Sequence, residues 1–402
     1  MLRDLMGDEA ELLLKALDQE PEVAVRINKR KPVVEFEETQ PVVWCESGIY
    51  LKERPEFIFD PLLHAGTYYV QDPSSMIYET VVQRLLPMIK SSDKLRVLDL
   101  CAAPGGKTTA IINALPDHSH VTANEYSSKR VEALKENIQR WGYPYVTITN
   151  KDTSFFASQG EQFDIVAVDA PCSGEGMMRK EEVARSQWSP QLVEQCSSLQ
   201  KTILRNAVKA LKPGGFLIYS TCTFNRIENE DNAEWLSKEF DLKPINLNLP
   251  EEWKIPGGIK TDLPVYRFMP HKTKGEGLFL AVFQKPETDI NLVPPEDNQG
   301  KTGREKKSKE VFTRKDRRFN GLRKSNGEKP GLGSTSLSMD PTVDVDRPTA
   351  VKYLQGEAIV LQPETPKGIV IITYKGFPLG KAKNIGTRAN NLYPKNRRIL
   401  KR

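Results

Sequence analysis

Two cysteines of this chain follow two predicted strands, and an aspartate stands beside one of them. Asp169-Ala170-Pro171-Cys172 follows the apolar run 163–168, and Ser220-Thr221-Cys222 follows the run 216–219. The thiolate form of cysteine is a nucleophile. When a thiolate adds to C6 of a pyrimidine, C5 becomes nucleophilic enough to attack a methyl sulfonium. Asp169 is the candidate acid near N3, where charge builds, and Cys172 is the candidate group for releasing the methylated product.

The other cysteines set limits on this hypothesis. The chain has five cysteines and no C-x-x-C pair, which argues against a disulfide framework or a zinc site and favours a reducing cytosol. The histidines are too scattered for a metal motif, so we expect no metal. A free cysteine most often packs as a small apolar side chain. We expect this for Cys45 and Cys196, and it stays open for Cys172 and Cys222.

A glycine-rich turn follows the first strand of the same region. The strand that contains Asp99 leads into Cys101-Ala102-Ala103-Pro104-Gly105-Gly106-Lys107 and then a helix. Such a turn lets a ligand approach the backbone at the helix N-terminus. The end of the turn resembles a P-loop, but Cys101 stands where the first glycine of a P-loop would be. A turn that only packs helix on strand is the remaining alternative.

Three acids stand at the ends of three successive strands. Glu125 follows the second strand, 24 residues after Cys101, where a carboxylate can accept from both hydroxyls of a ribose. Asp152 follows the third strand and is placed to receive an adenine amino group, and Asp169 follows the fourth. A single acid at such a place is usually a helix cap. Three at one edge of a sheet predict a site for a nucleoside cofactor.

Strands that alternate with helices must position these residues. Apolar runs predict strands at 96–100, 121–124, 145–148, 163–168 and 216–219, with a last antiparallel strand at 278–283. Helical spacing covers 131–138, which Gly142 ends, and 192–211, which Pro213-Gly214-Gly215 ends. This alternation predicts an α/β, Rossmann-like domain with a mostly parallel sheet covered on both faces.

The flanking regions read as smaller domains. Residues 1–75 are predicted to be α+β, with a helix that starts at the Asp8/Glu11 capping box and strands at 23–27, 42–44 and 48–51. Residues 341–402 are predicted to be β-rich, with strands at 358–361, 368–374 and 377–380. We therefore divide the chain into 1–75, a catalytic domain at 76–286, a flexible linker at 287–340 and a module at 341–402.

Positive charge is concentrated in short stretches. The net charge is +5, yet residues 301–330 carry twelve Lys or Arg against four Asp or Glu, a charge of +8. This segment suits phosphate groups of a nucleic acid, although a solvated tail has the same composition. Deleting it should lower RNA affinity and flatten its salt dependence. Smaller basic clusters are Arg26, Lys29, Arg30 and Lys31, and Arg388, Lys395, Arg397, Arg398, Lys401 and Arg402. No apolar run is long enough to cross a membrane and the N-terminus is not a signal peptide, so we expect a cytoplasmic protein.

Several blocks resemble the NOL1/NOP2/Sun family of RNA cytosine-C5 methyltransferases. The principal matches are DLCAAPGGKT (99–108), DAPCSGEG (169–176) and STC (220–222). Further matches are QDPSSM (71–76), Arg179-Lys180, Trp188, Gln200, Arg267, Pro270-His271, Gly275 and Gly277. The resemblance covers about residues 20–285 and is carried by many separate blocks.

The resemblance implies a Rossmann-like methyltransferase domain behind an N-terminal RNA-binding subdomain. It implies that Cys101 to Lys107, Glu125, Asp152 and Asp169 hold S-adenosylmethionine. It also implies that Cys222 is the nucleophile and that Cys172 assists product release, because STC at 220–222 marks the RNA enzymes rather than the DNA enzymes.

The C-terminal stretches 375–381 and 389–395 are similar to the PUA-like module of bacterial 16S rRNA cytosine-C5 methyltransferases of the F type. They imply 16S rRNA or the small ribosomal subunit as the partner, and we expect a monomer. A tRNA-directed enzyme of the same family and a non-catalytic RNA-binding assembly factor remain the alternatives.

Overall fold

The computed structural model describes residues 2–90, 94–287 and 340–400. The described residues form one compact unit. The predictions made for the linker, including the basic segment 301–330, lie outside the described residues, apart from residues 287 and 340 themselves. Lys401 and Arg402 of the C-terminal basic cluster also lie outside them.

The N-terminal region contains a small antiparallel sheet in the order β2-β3-β1-β4. Its elements are α1 (Leu2–Met6), α2 (Glu9–Leu17), β1 (Ala24–Ile27), β2 (Thr39–Pro41), β3 (Gly48–Leu51), α3 (Pro61–Ala65) and β4 (Tyr68–Val70). Helix α2 begins after Asp8 as predicted, but the Asp8 side chain makes no capping hydrogen bond. The strand predicted at 42–44 is wrong. Cys45 N donates to the Val42 carbonyl and closes a turn there, while the Trp44 indole donates to the Pro73 carbonyl in the interior.

The central sheet has the order β10-β12-β9-β8-β5-β6-β7, and β11 also pairs with β12. Its strands are β5 (Arg96–Asp99), β6 (His120–Asn124), β7 (Val146–Thr149), β8 (Phe163–Asp169), β9 (Leu211–Thr221), β10 (Lys243–Pro244), β11 (Val265–Phe268) and β12 (Leu278–Gln284). Strands β5 to β9 are parallel to one another, and β12 is antiparallel to β9. The predicted Rossmann-like fold with an antiparallel last strand is confirmed.

Helices cover both faces of this sheet because alternate strand residues point to opposite sides. Ile165 and Ala167 of β8 pack with the helices of one face, whereas Val166 and Val168 pack with those of the other. The helices are α4 (Ile77–Leu85), α5 (Gly106–Ala114), α6 (Ser128–Trp141), α7 (Thr153–Ser158), α8 (Glu182–Gln187), α9 (Pro190–Ala210) and α10 (Glu230–Glu239).

The predicted ends of two helices have different outcomes. Helix α6 ends at Gly142, as predicted, and this glycine has a φ of +81°, which its missing side chain permits. Helix α9 ends earlier than predicted, at Ala210. Strand β9 already begins at Leu211, so the Pro213-Gly214-Gly215 segment lies within the strand and does not end the helix.

The C-terminal region folds as a small sheet in the order β13-β14-β15-β16. Its elements are β13 (Thr342–Asp344), α11 (Arg347–Leu354), β14 (Gly368–Tyr374), β15 (Phe377–Asn384) and β16 (Ala389–Asn391). Lys375 and Gly376, both with positive φ, form the tight turn predicted between β14 and β15. The strand predicted at 358–361 is wrong, because only Ile359 forms a bridge, to Ala389, while Val360 is exposed.

The N-terminal and C-terminal regions share one apolar core. Val25, Leu62 and Tyr68 pack in the same cluster as Tyr353 and Val370. The Tyr374 hydroxyl, at the end of β14, also donates to the Glu35 carboxylate at 3.1 Å. Burial of this apolar surface holds the two flanking regions against each other.

Candidate functional site

The two thiols predicted to work together are in contact. Strands β8 and β9 are parallel, with Asp169 level with Ser220, so the residues after them leave the sheet at one edge. The Sγ atoms of Cys172 and Cys222 lie 3.2 Å apart. The hydrogen bond to Cys222 and burial both raise the pKa of Cys172 well above its usual range. Cys172 is therefore held as a neutral thiol that can donate to Cys222.

Asp169 at the end of β8 is paired through both carboxylate oxygens. Lys107 Nζ donates to Oδ2 at 2.8 Å, and the Ser220 hydroxyl donates to Oδ1 at 2.7 Å. Burial acts to lower the pKa of Lys107, but the Asp169 carboxylate outweighs it and raises that pKa overall. Asp169 therefore joins Lys107 at the glycine turn to Ser220 at the end of β9.

One cavity of about 380 Å³ joins the glycine turn to a thiol. The residues on its wall that were predicted from the sequence are Cys101, Ala102, Ala103, Pro104, Gly106, Lys107, Asp169 and Cys222. The remaining predicted site residues, Gly105, Glu125, Asp152 and Cys172, are not on its wall. The cavity therefore brings the predicted nucleophile together with most of the predicted cofactor loop.

The glycine turn is shaped for close approach. Gly105 has a φ of +111°, and a Cβ on Gly106 would lie 3.2 Å from the Tyr69 ring. Below the turn, the Thr108 hydroxyl donates to Asp99 at 2.7 Å. Burial raises the pKa of Asp99 to about 7, although the Thr108 hydrogen bond opposes it. Burial and, to a smaller extent, the nearby Asp99 carboxyl raise the pKa of Cys101 well above its usual range, so the Cys101 thiol stays neutral.

Glu125 has one carboxylate oxygen that the protein leaves available. Its Oε1 accepts from the Ser127 amide at 2.8 Å. Its Oε2 is buried and has no hydrogen-bond partner among the described residues, although Arg130 Nη1 lies 3.4 Å away. A buried carboxylate oxygen without a donor is costly unless a ligand completes it. This geometry fits the ribose hydroxyl predicted from the sequence.

Asp152 has a different environment. It is exposed and caps α7, with its Oδ1 accepting from the Ser154 amide at 2.9 Å and from the Ser154 hydroxyl at 2.6 Å. These hydrogen bonds lower the pKa of Asp152. The structure thus gives Asp152 the role of a helix cap, and the adenine contact stays a prediction.

Sequence reasoning missed two buried glutamates that hold the thiol loops. Glu175 Oε2 accepts from the Thr223 hydroxyl and the Phe224 amide, each at 2.6 Å, and from the Asn225 amide at 2.9 Å. Its Oε1 accepts from the Trp188 indole at 3.0 Å. Glu175 therefore ties the loop after Cys172 to the loop after Cys222.

Glu228 makes the same connection from the other side. It accepts from the Ser173 amide at 3.0 Å and from the side-chain amides of Gln200 and Asn225, each at 2.7 Å. Burial raises the pKa of Glu228, while the Ser173 hydrogen bonds oppose that shift. Polar residues at positions 225, 228, 229 and 232, directly after a predicted reactive thiol, were the sequence signal for this network.

Gly176 permits the close approach of three chain segments. Its amide donates to the Cys222 carbonyl at 2.8 Å. A Cβ at this position would lie 2.8 Å from the Cys222 oxygen and 3.0 Å from the Glu276 oxygen. Only glycine fits there without a backbone shift, so this residue helps to set the position of Cys222.

The side chains of the N-terminal basic cluster contact other parts of the protein, and an RNA-binding role for this region stays a prediction. Arg26 is fully buried, and burial lowers the pKa of Lys31 to about 8 while its Nζ donates to two carbonyls. Lys29 pairs with Glu79 at 2.8 Å, and the exposed Arg30 pairs with Asp117 at 3.0 Å. In the C-terminal cluster, by contrast, Arg388 and Lys395 are exposed, while Arg397 and Arg398 are half-buried.

Two features are absent from the described ranges 2–90, 94–287 and 340–400. No helix there is long and apolar enough to cross a membrane. No group of three or more His, Cys, Asp or Glu side chains in the same ranges could hold a metal ion.

Three protein families match successive parts of the chain. The family described as 16S rRNA methyltransferase RsmB/F matches residues 87–284. The N-terminal domain of 16S rRNA methyltransferase RsmF matches residues 1–73, and the methyltransferase RsmF PUA domain matches residues 340–399. The order of the three matches follows the order of the three sheets.

Curated relatives match most of the chain. Ribosomal RNA small subunit methyltransferase F of Enterobacter sp. (strain 638) is 30% identical over 407 residues, which cover 88% of this chain and 83% of the relative. The protein of that name from Pectobacterium carotovorum subsp. carotovorum is 35% identical over 261 residues, covering 64% of this chain and 52% of the relative.

Solved structures show the same fold. A methyltransferase homolog protein from Pyrococcus horikoshii superposes with a TM-score of 0.61 at 24% identity, covering 71% of this chain and 93% of that chain. NSun6 from Pyrococcus horikoshii, solved with SFG, superposes with a TM-score of 0.59 at 21% identity and covers 71% of this chain and 96% of that chain.

Proposed function

Because the chain belongs to the 16S rRNA methyltransferase RsmB/F family, we propose that it transfers a methyl group from S-adenosylmethionine to C5 of a cytidine in 16S rRNA. The observation that carries the proposal is the contact of Cys172 and Cys222 at 3.2 Å beside Asp169. Methylation at an oxygen or an exocyclic nitrogen has no use for two thiols at the substrate. Methylation at a pyrimidine carbon needs one to add and a second group to help release it.

The residues around the glycine turn fit the cofactor. Glu125 Oε2 has an ion pair with Arg130 but no hydrogen bond, which suits a ribose hydroxyl. The turn before α5 presents backbone amides without side chains in the way. S-adenosylmethionine, when bound, supplies an electrophilic methyl group. Lys107 and Asp169 line the same cavity as this turn and Cys222, so they would border both the cofactor and the base.

Cys222 is the proposed nucleophile. Its thiolate forms a bond to C6 of the cytosine, and the electron pair of the C5–C6 double bond becomes available at C5. The Cys172 sulfur lies 3.2 Å from the Cys222 sulfur, and Lys107 lines the same cavity as Cys222. The thiolate is the reactive form of cysteine. Cys222 also lines the cavity, whereas Cys172 does not.

Asp169 is the group proposed to face N3 of the base. Both of its oxygens accept hydrogen bonds in the structure, from Lys107 and Ser220. It can hold a proton for N3 only after the base displaces one of these partners. Until then, Asp169 fixes the Lys107 ammonium where negative charge builds as the thiolate adds.

Cys172 is proposed to act after methyl transfer. The C5 proton must leave and the bond between C6 and the Cys222 sulfur must break before the product can dissociate. Cys172 lies within 3.2 Å of the Cys222 sulfur, close enough to assist this elimination. The proposal does not depend on which group finally removes the C5 proton.

A strain lacking the gene tests the proposal. Bisulfite sequencing of its rRNA and tRNA should show the loss of a 5-methylcytidine in 16S rRNA, restored by the wild-type gene and by Cys196→Ala but not by Cys222→Ala. Cys196 is a matched control because it is a partly exposed thiol on α9. If every 5-methylcytidine persisted, the proposed function would be wrong. Loss from tRNA alone would move the substrate to tRNA.

A further inference from the structure

Gln71, directly after β4, carries a side-chain amide in a fixed orientation. Arg26 Nε donates to Gln71 Oε1 at 2.8 Å. An arginine side chain has only donors, so the oxygen of the amide must face Arg26 and the nitrogen must face away from it. The orientation of the Gln71 amide therefore follows from its partner.

The nitrogen of this amide lacks an acceptor in the protein, which indicates a ligand contact. Gln71 is 9% exposed and lies on the wall of the cavity that contains Cys222. Its Nε2 is buried and has no hydrogen-bond partner among residues 2–90, 94–287 and 340–400. It would lie 3.5 Å from a Cβ on Gly106, the first residue of α5. A buried donor without an acceptor costs free energy unless a ligand supplies one.

Arg26 holds Gln71 and the start of α5 together. Its guanidinium is fully buried and donates to the Gly106 carbonyl at 3.2 Å, to the Thr109 hydroxyl at 2.5 Å and to the Thr109 carbonyl at 3.2 Å. The ring of Trp141 covers its other side at 4.7 Å. This basic residue thus sets the distance between the Gln71 amide and the glycine turn.

We propose that Gln71 Nε2 donates a hydrogen bond to the carboxylate of the amino-acid part of S-adenosylmethionine, with Arg26 as the positioning residue. This inference rests on the proposed function, since it names a contact of the same site. The Gln71 donor would recognise an anionic oxygen, which either the cofactor carboxylate or an RNA phosphate could provide. Neither Gln71 nor Arg26 is among the cofactor residues predicted from the sequence.

The position of the donor favours the cofactor. The Gln71 nitrogen lies over Gly106, at the N-terminus of the nine-residue helix α5, where backbone amides and the helix dipole favour an anion. The RNA base must reach Cys222, in the loop after β9 that Glu175 holds, whereas the Gln71 nitrogen lies beside the turn after β5. The acceptor nearest the glycine turn is therefore assigned to the cofactor.

Calorimetric titration of the full chain with two probes, in the absence of RNA, tests this. The probes are S-adenosylhomocysteine and its analogue that lacks the carboxylate. Gln71→Met keeps the side-chain volume but removes the donor, and should weaken S-adenosylhomocysteine binding about 10-fold or more, since a hydrogen bond to a charged group is lost. The analogue should bind the variant and the wild type within about 2-fold.

Gln71→Glu guards against a folding defect, because it keeps an acceptor for Arg26 while replacing the donor with a negative charge. It should weaken S-adenosylhomocysteine binding by at least as much as Gln71→Met, again without affecting the analogue. Gln159→Met, at the exposed C-terminal end of α7, is the matched control and should bind both probes normally.

Equal weakening for both probes, or no weakening, would overturn the assignment. If S-adenosylhomocysteine binding were unchanged, a separate titration of Gln71→Met with RNA would follow, and weaker RNA binding there would identify an RNA phosphate as the acceptor. Failure of the wild type to bind S-adenosylhomocysteine would instead contradict the proposed function itself.

Discussion

The two ends of the cavity differ in how their polar groups are satisfied. At the sulfur end, Glu175 and Glu228 accept hydrogen bonds from the chain on both of their oxygens and hold the loops of Cys172 and Cys222 together. At the cofactor end, Gln71 Nε2 is buried with no hydrogen-bond partner among the described residues, and buried Glu125 Oε2 has an ion pair with Arg130 at 3.4 Å but no hydrogen bond. The chain's own donors satisfy the two glutamates at the sulfur end, whereas the two polar atoms at the cofactor end make no hydrogen bond.

This difference follows from what each end has to do. The sulfur end must hold a reactive thiol within a few tenths of an ångström of its working position, so it is pre-organised by internal hydrogen bonds. The cofactor end must exchange a charged ligand in every turnover, and polar atoms without internal partners gain theirs only when that ligand binds. Substitutions at the two ends should therefore fail in different ways.

The largest effect is expected at the sulfur end. Cys222→Ala should abolish methylation and all covalent adducts with RNA, since the group that adds to C6 is gone. Cys172→Ala should instead accumulate adducts, because the bond to Cys222 still forms while its release is impaired. Denaturing electrophoresis of protein mixed with 16S rRNA and S-adenosylmethionine measures both. The reverse pattern would make Cys172 the nucleophile.

The next largest effect is expected for the hydrogen bonds of Glu228 that hold the loops of Cys172 and Cys222. Glu228→Gln replaces one of the two acceptor oxygens with a donor. Ser173 N and Gln200 Nε2 donate to one oxygen and Asn225 Nδ2 to the other, so either orientation leaves buried donors unpaired at about 1–3 kcal/mol each. We expect the free energy of unfolding to fall by about 3 kcal/mol, measured by thermal melting. Glu194→Gln, exposed on α9, is the control and should melt like the wild type. An unchanged melting temperature for Glu228→Gln would contradict the idea of a pre-organised sulfur end.

At the cofactor end, the effect should appear in binding and not in folding. Glu125→Gln should weaken S-adenosylhomocysteine binding by about 10- to 100-fold, because a charged acceptor becomes a neutral one, while the melting temperature without ligand stays close to that of the wild type. Asp152→Asn should change the affinity by less than about 3-fold, since Asp152 is exposed and already caps α7. A stronger effect at Asp152 than at Glu125 would reverse this ranking and support the adenine contact.

Much of the central fold could be predicted because its signals are local. Buried strands such as Phe163–Asp169 are continuous apolar runs, and Gly142 ends α6 through its own backbone freedom. The wrong predictions concern segments whose conformation depends on packing against the rest of the protein. Val42 and Trp44 look like strand residues, but their side chains enter the core from a turn. Helix α11 was missed although Asp346, which caps it through Thr349, and Pro348 mark its start.

The same distinction between local signals and packing applies to the residues of the site. The strand-end rule placed Cys172 and Cys222 together, because parallel strands bring their carboxyl ends to one edge. The prediction from charge alone was misleading for Arg26, because composition does not show that Gln71, Gly106 and Thr109 accept from all three nitrogens of a buried guanidinium. Contacts between residues that are 45 and 80 positions apart leave no periodic trace in the sequence.

The smallest expected effect concerns Asp99, which lies under the glycine turn between the two ends. Its pKa is raised by burial to about 7, so the neutral carboxyl favours folding below the ordinary carboxyl pKa, and this contribution is lost as pH rises through 7. Between pH 6 and pH 8 the free energy of unfolding of the wild type should therefore fall by about 1 kcal/mol relative to Asp99→Asn. Asparagine keeps an acceptor for Thr108, so the comparison isolates the charge. Parallel urea melts of the two proteins at both pH values measure it, and a wild type that gained stability relative to Asp99→Asn with rising pH would show that Asp99 is ionised beneath the turn.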